Sequence, residues 1–424
     1  MKMVRVIVLN GLSVFIRVIT LLGINKAVAY FAGPSSFAII SQLQNLIAMA
    51  LVFPSSAING ATVKLIAARK DNETEIEKVS QTSFSVMFYF SLIFCILILI
   101  FGGFISFFLL KTYSYSYVIR LFAVCIFFFA LNSFLLALFN GRGEIKKYIA
   151  CNIIGNIITL VFSVVLIINF KIDGALISIA TNQVLNVIVT ICVLKKTNWF
   201  KLSEYISITS FIYLKEIMHF AAMPIFAALI MPVSLTIVRN FIVSSSSWND
   251  AGVWDALWKI SNVYLMIITL TLNVYLLPKL SSLFHQDLIV KELLKSACAV
   301  VAIMISIAVM LFLYKDLIIK LLFTKEFIKV SDYILFQVLG DFFKMLSWII
   351  AYYMLSKSRV MKYIFSESVQ WVGFVILCWA LPHGDIITGV MHAYVISQII
   401  YFITLLLLLI HDMKIKNVKC KTFS

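Results

Sequence analysis

Charge, cysteine, histidine and proline are all scarce in this chain. Of its 424 residues only 13% are charged, and there are 7 Cys, 5 His and 6 Pro. Scarce charge beside a 62% hydrophobic share excludes a soluble globule, whose apolar share stays nearer ~45–50%. The histidines, His219, His285, His383, His392 and His411, stand singly, so no metal-ligand spacing is present. Cys95, Cys125, Cys151, Cys192, Cys298 and Cys378 fall inside apolar runs and Cys420 in a basic tail, so none is placed for an external disulfide. Catalytic equipment is missing too. Gly141-Arg142-Gly143 is too short for a phosphate loop, and no His-Glu-x-x-His, Cys-x-x-Cys or Ser-nucleophile elbow appears. Acidic residues number 19 against 35 basic ones, a net charge of +16. The cations are spread over short loops beside apolar runs, a distribution that selects anionic membrane lipids and excludes nucleic acid.

What the chain has in quantity is hydrophobic length. Mean hydropathy is +1.03, and runs of the ~20 residues needed to cross ~30 Å of hydrocarbon as a helix recur throughout. They lie at 8–30, 37–64, 80–110, 117–139, 147–169, 173–194, 215–241, 251–278, 293–314, 333–356, 363–381 and 387–410. The first is followed by Gly33-Pro34 and no small-residue cleavage site, so it is expected to remain a membrane helix. With the amino terminus and alternate loops on one side, roughly nineteen Lys/Arg fall there against about six opposite, and that excess marks the cytoplasm. Both termini are therefore expected in the cytoplasm, among basic clusters such as Arg69-Lys70, Arg142, Lys195-Lys196 and the tail Lys414, Lys416, Lys419 and Lys421. Residues 315–332 depart from the rule. They carry Lys315, Lys320, Lys325 and Lys329 with Asp316, Glu326 and Asp332, and read as a helix in the outer interface.

An internal repeat organises these runs at an offset of about 215 residues. Phe127, Phe128 and Leu131 recur as Phe342, Phe343 and Leu346, and Lys147-Tyr148-Ile149 as Lys362-Tyr363-Ile364. Gly174, Gln183 and Ile188 recur as Gly389, Gln398 and Ile403, and upstream Lys64 falls on Lys279. The predicted fold is an all-α integral membrane protein of about twelve transmembrane helices in two six-helix lobes. Because six is even, the halves are parallel repeats related by an axis along the membrane normal. The expected lobes are residues 1–200 and 201–424. Between their helices a cytoplasmic crossover at 195–214, with Asn198, Trp199, Lys201 and Glu204, reads as an interfacial helix.

Polar residues inside apolar runs are where function is expected, because a charge near the midplane is costly. Arg17 lies near the middle of the first run. Asp341 and Lys344 share one face of the tenth, and Asp255 and Lys259 have i,i+4 spacing in the eighth. Lys26, Lys64, Arg120 and Arg239 lie within snorkelling reach of an interface. Each acid–Lys pair reads either as a structural lock or as a functional site. Gln42, Gln44, Asn45 and Asn132 are either interhelical glue or a lining for a polyhydroxylated ligand. Pro54, Pro224, Pro232 and Pro278 mark bends. Arg17, Asp255 and Asp341 have no like partner at the repeat offset, so chemistry is expected where the halves disagree.

Trp248-Asn249-Asp250-Ala251-Gly252-Val253-Trp254, Ile260-Ser261, Tyr264-Leu265 and Val274-Tyr275-Leu276-Leu277-Pro278 closely resemble the Wzx-type flippases of O antigen and enterobacterial common antigen. Leu339-Gly340-Asp341-Phe342-Phe343-Lys344, Gly33-Pro34 and Asn59-Gly60 with Lys64 also match that family. The resemblance implies a member of the multidrug, oligosaccharidyl-lipid and polysaccharide exporter superfamily, with two six-helix lobes around a central cavity. It implies no enzyme and no cofactor, and as substrate an undecaprenyl-diphosphate-linked oligosaccharide turned to the periplasmic leaflet of the inner membrane. The partners implied are membrane lipids, a coupling proton or sodium ion, and the polysaccharide polymerase with its chain-length machinery. On this footing Arg17, Lys26, Gln42, Asn45, Arg120 and Arg239 are expected to meet substrate, and Asp255, Asp341 and Lys344 to couple the ion. A drug exporter of the same superfamily would want an acidic or aromatic cavity. A polymerase would want a long Arg-bearing outer loop.

Overall fold

The computed structural model describes residues 3–197, 199–200, 211–283, 285–381 and 384–421, and side chains outside 3–8, 219–224, 227, 274 and 415–421. Asn198, Lys201 and Glu204 of the expected crossover helix, and His383, lie outside the described residues. So do the side chains of His219, Pro224, Lys416, Lys419, Cys420 and Lys421. Among the described residues the chain is helical and without strands. The elements are α1 (Met3–Phe31), α2 (Gly33–Ala50), α3 (Ala57–Ala68), α4 (Glu73–Leu110), α5 (Ser116–Gly141), α6 (Ile145–Leu194) and α7 (Leu214–Ser245). They continue with α8 (Trp248–Thr271), α9 (Leu277–Ser282), α10 (Gln286–Leu322), α11 (Val330–Ser356), α12 (Val360–Ala380) and α13 (Ile386–Lys421).

Nine of the described helices are long and apolar enough to cross a membrane, or ten if the pair bent by 48° at Leu51 is one span. α6 holds two of the sequence-derived runs. At ~1.5 Å per residue its 50 residues would extend about 75 Å, far beyond ~30 Å of hydrocarbon. It breaks at Lys171, where φ is 52° and ψ is −124°. α10 likewise breaks at Tyr314, so the segment after it leaves the line of the span, and a 3-10 turn at Lys325–Phe327 leads into α11.

Local chemistry fixes the ends of these helices. Asn72 caps α4 by accepting the Glu75 backbone N–H at 3.2 Å, with Glu73 and Glu75 in the first turn where the helix dipole favours anions. Ser247 caps α8 by accepting the Asp250 N–H at 3.1 Å. Hydroxyls inside the spans fold back on their own helices: Thr62 donates to Ile58 O at 2.8 Å and Ser80 to Ile76 O at 2.7 Å. That satisfies them where water is absent.

Two compact units divide the chain, Met1–Thr236 and Ile237–Ser424. Each repeats the other's backbone detail at the offset of about 215 residues. α5 ends with Gly143 at φ 75°, where Gly143 N–H bonds Asn140 O and Glu144 N–H bonds Phe139 O at 3.0 and 2.8 Å. α11 ends with Ser358 at φ 54°, where Ser358 N–H bonds Leu355 O and Arg359 N–H bonds Met354 O at the same two distances. Both are Schellman closures, whose left-handed residue frees the chain to turn into the next helix. A short π-helical segment also occurs in each unit, at Val52–Ser56 beside Pro54 and at Leu272–Leu276 just before Pro278.

The interior of the first unit is a packed apolar cluster. Ile66, Val79, Met87, Phe134, Leu138 and Phe139 are almost wholly buried there. In the second unit the interior is aromatic, with Trp254, Tyr353, Phe374, Tyr394 and Tyr401 fully enclosed. Many other large apolar side chains, Phe104, Leu313, Leu321 and Trp379 among them, are exposed, as surfaces that face lipid are.

Candidate functional site

Within the first unit, α1, the π-helical turn, α5 and α6 enclose a cleft of about 330 Å³. Its wall is polar although the helices that build it are apolar. Asn132, Asn152, Asn156, Gln183 and Asn186 supply carboxamides, Ser55, Ser133 and Thr190 hydroxyls, and Arg17 the one charge among the lining residues. The amides are held by one another. Asn132 Nδ2 donates to Gln183 Oε1 at 2.8 Å, Thr190 Oγ1 donates to Asn132 Oδ1 at 2.7 Å, and Asn186 Nδ2 reaches Thr159 Oγ1 at 3.3 Å. Asn59 Nδ2 donates to Ser133 Oγ at 2.8 Å. Among the described residues, the buried acceptor Asn186 Oδ1 in this wall has no protein partner, nor has Oδ1 of Asn59, whose Nδ2 is bonded to the lining Ser133. A buried polar atom left alone costs on the order of 1–3 kcal/mol, so this wall has hydrogen-bonding capacity to offer.

The other expected substrate residues lie elsewhere. Gln42 is fully buried and its Nε2 donates to Leu109 O at 3.3 Å, tying α2 to α4. Asn45 Nδ2 donates to Thr236 Oγ1 at 3.3 Å. Lys26 is half-buried on α1, and Arg120 is exposed with its stem against Gly102. Arg239 closes on Asp255. Its Nε and Nη2 meet Asp255 Oδ2 and Oδ1, both at 2.7 Å, with both side chains 2–3% exposed. The planar fork of guanidinium matches the carboxylate in two parallel bonds, and the guanidinium also sits 5.5 Å from the Trp254 ring centre. Lys259, one turn on, has Asp255 and Arg239 as its charged neighbours.

Asp341 lies in the second unit at 0% exposure. Ser261 Oγ donates to it at 2.5 Å and Tyr394 OH at 2.6 Å; Tyr264 OH and Gln337 Nε2 donate as well. Four donors around one carboxylate replace the water it loses. Gly340 makes this arrangement fit. A Cβ there would stand 2.4 Å from the Tyr394 ring, so any side chain would push that donor away. Lys344 lies between the Trp258 and Trp348 rings at 5.0 and 5.2 Å, a cation–π seat, with Asp341 and Glu367 as its charged neighbours.

Glu367, Gln337 and Gln370 of the second unit escaped the sequence reading, as did Asn152, Asn156 and Asn186, and Gln398 entered it only as a repeat match. Glu367 Oε1 accepts from Tyr401 OH at 2.7 Å and Oε2 from Trp371 Nε1 at 3.3 Å, while Gln370 Nε2 donates to Gln398 Oε1 at 3.1 Å. One signal was present in the sequence. Gln183 and Gln398 are a polar match of the repeat, and they stand inside these two sites.

Comparison with known proteins agrees with this architecture. Residues 27–332 match the family described as "Polysaccharide biosynthesis protein". The lipid III flippases of Escherichia coli K12 and Shigella flexneri are each 26% identical over 413 residues, 95% of this chain and 97% of theirs. A multidrug resistance MATE family transporter of the MOP superfamily, in an inward-facing conformation, shares the fold with a TM-score of 0.77. It has 14% identity and 95% coverage of both chains. The lipid II flippase MurJ, in an inward closed conformation, gives a TM-score of 0.72 at 16% identity, covering 96% of this chain and 87% of that one.

Proposed function

Since the chain belongs to the polysaccharide biosynthesis protein family, we propose that it is a flippase for an oligosaccharide carried on undecaprenyl diphosphate. It turns the headgroup from the cytoplasmic to the periplasmic leaflet of the bacterial inner membrane by alternating access, with both termini in the cytoplasm. The observation that carries this reading is the amide-walled cleft with Arg17, set inside an apolar membrane unit.

Every hydrogen bond to water that a sugar or diphosphate loses in hydrocarbon costs free energy. A carrier therefore has to replace those bonds along the path. Carboxamides donate and accept at once, as sugar hydroxyls do, and a guanidinium offers phosphate a two-pronged contact. On this reading Arg17 meets the diphosphate and Asn132, Gln183 and Asn186 the sugar. Lys26 and Arg120 meet the headgroup outside the cleft, and Asn45, bonded to Thr236, acts through that tie. Gln42 and Arg239, already bonded within the protein, act through the helices they tie. Asp255, Asp341 and Lys344 couple the movement to entry of a proton or sodium ion. A drug exporter of the same superfamily is less favoured, because among the described residues no carboxylate lines the cleft to hold a cationic drug.

The test is complementation of a flippase-null strain, with the accumulated lipid-linked oligosaccharide identified by mass spectrometry. Wild type is expected to restore surface polysaccharide, while Arg17→Ala inserts at normal level and leaves the lipid-linked intermediate accumulated. Normal polysaccharide in the Arg17→Ala strain would remove Arg17 from the site. Failure of the wild type to relieve any flippase-null strain would overturn the function.

A further inference from the structure

The second unit carries a counterpart of the first unit's cleft, position by position at the offset of about 215 residues, and fills it. Asn152, Gly155 and Asn186 correspond to Glu367, Gln370 and Tyr401, while Gln183 is retained as Gln398. We propose that this filled counterpart is a proton site, in which Glu367 carries the proton and Gln370 and Gln398 hold the water that delivers it.

Charge is the first argument. Lys344 is set against two carboxylates, Asp341 and Glu367, which leaves one negative charge in excess. An uncompensated charge in a buried site is strongly unfavourable, so one proton completes the group. The trio of Arg239, Asp255 and Lys259 carries one positive charge in excess, but the charged neighbours of Lys259 are Asp255 and Arg239, whereas those of Lys344 are Asp341 and Glu367. Hydrogen bonding then decides which acid is protonated. Asp341 accepts from four donors on three helices, the surroundings of an ionised carboxylate. Glu367 has two, from Tyr401 and Trp371. The Tyr401 hydroxyl serves either state, donating to the carboxylate or accepting from the acid. The titratable groups facing Glu367 are Lys344 on α11, Tyr401 on α13 and, on its own helix, Tyr363.

Gln370 and Gln398 give an independent pointer. Each is 1% exposed, and although they bond each other, Gln370 Oε1 and Gln398 Nε2 have no partner. One is an acceptor and the other a donor. A water between them would complete both, as buried waters do at polar sites. The two amides lie one helical turn from Glu367 and Tyr401 respectively, which puts that water beside the acid. In the reaction a hydronium proton passes to Glu367 Oε, leaving neutral water and a neutral acid; release reverses the transfer.

This inference takes its purpose from the coupled-carrier reading, but it is tested without substrate. Infrared spectra of the purified full-length protein near neutral pH, compared in H2O and D2O, report the carbonyl stretch of a buried carboxylic acid. Wild type is expected to show the band and Glu367→Gln to lose it; Asp341→Asn, which leaves Lys344 set against Glu367 alone, is expected to lose it as well. Glu367→Asp, which keeps the acid, should restore a shifted band and so separates loss of the proton from loss of fold. A band that survives in Glu367→Gln, stays unshifted in Glu367→Asp or is missing from wild type would overturn the proposal. Those outcomes leave the flippase reading to stand or fall on complementation.

Discussion

At matching positions of the repeat the two units make opposite use of the same scaffold. In the first, Phe129, Ser133 and Asn156 border an open polar cleft; in the second, Lys344, Trp348 and Trp371 stand at those places and close it. Gly155 leaves room where Gln370 takes it. The difference in side-chain volume decides the chemistry. Small amides leave unfilled hydrogen-bonding capacity at Asn186 in the cleft wall, the capacity that the proposed function assigns to a ligand that arrives and departs. Indoles and a saturated carboxylate hold a fixed network, in which only small mobile species such as protons or water are accommodated.

The largest expected effect comes from making the first unit imitate the second. Gly155→Gln puts the second unit's residue into the cleft, where a Cβ stands 3.1 Å from Asn186 Oδ1, and the amide end occupies the space that the proposed function assigns to the ligand. Polysaccharide export in the complementation assay should fall about tenfold or more, equivalent to roughly 1.4 kcal/mol or more of lost binding. Protein level should be unchanged, because the clash is with a flexible amide and not with backbone. Undiminished export would show that the cleft is not on the substrate path.

Much of this fold is legible in the sequence because long apolar runs and a polar-residue repeat survive any detail of packing. Arg17 and Asp341 are also legible, since charges deep in such runs stand out against leucine and phenylalanine. Arg239–Asp255 is not. The partners lie on successive helices across a loop, and helical spacing along the sequence pairs Asp255 with Lys259 instead. Glu367 is missed because it sits only two turns inside α12, where a carboxylate reads as interfacial. Isolated asparagines such as Asn152 and Asn186 are missed for a different reason: their convergence on one cleft needs the fold of α6, which doubles back at Lys171. The Gln183–Gln398 match held that information, but only for a reader who asked what each copy of the repeat places around it.

Of the effects on stability, the larger is expected from Gly340→Ala. The added methyl meets the Tyr394 ring at 2.4 Å and forces the phenol off Asp341. Overpacking costs about 1–3 kcal/mol, and loss of a hydrogen bond to a charged group adds roughly 1.5–3 kcal/mol. At the same repeat position the first unit has Cys125, fully packed with a side chain, and Ile179 stands where Tyr394 does. Cys125→Ala should therefore cost no more than about 1 kcal/mol. Thermal unfolding in detergent, followed by loss of monodisperse protein, reads both. Equal destabilisation by the two variants would mean that Gly340 serves general packing and not the placement of the Asp341 donor.

The smallest effect lies at the two Schellman closures, where the units share a backbone and differ in a residue. Gly143 adopts φ 75° without a Cβ, while Ser358 holds φ 54° with one. Left-handed backbone disfavours an L side chain by about 1–2 kcal/mol, so Ser358→Gly should relieve strain. Glycine also widens the unfolded ensemble, which offsets part of the gain by ~0.4–1 kcal/mol. The net expectation is a stabilisation of about 0.5 kcal/mol by Ser358→Gly and a destabilisation of similar size by Gly143→Ser, read as opposite shifts of the same melting curve. Shifts of equal sign would mean that the serine hydroxyl or the neighbouring loop, and not the common φ, sets stability at this turn, and the backbone equivalence of the two units would then end at their helices.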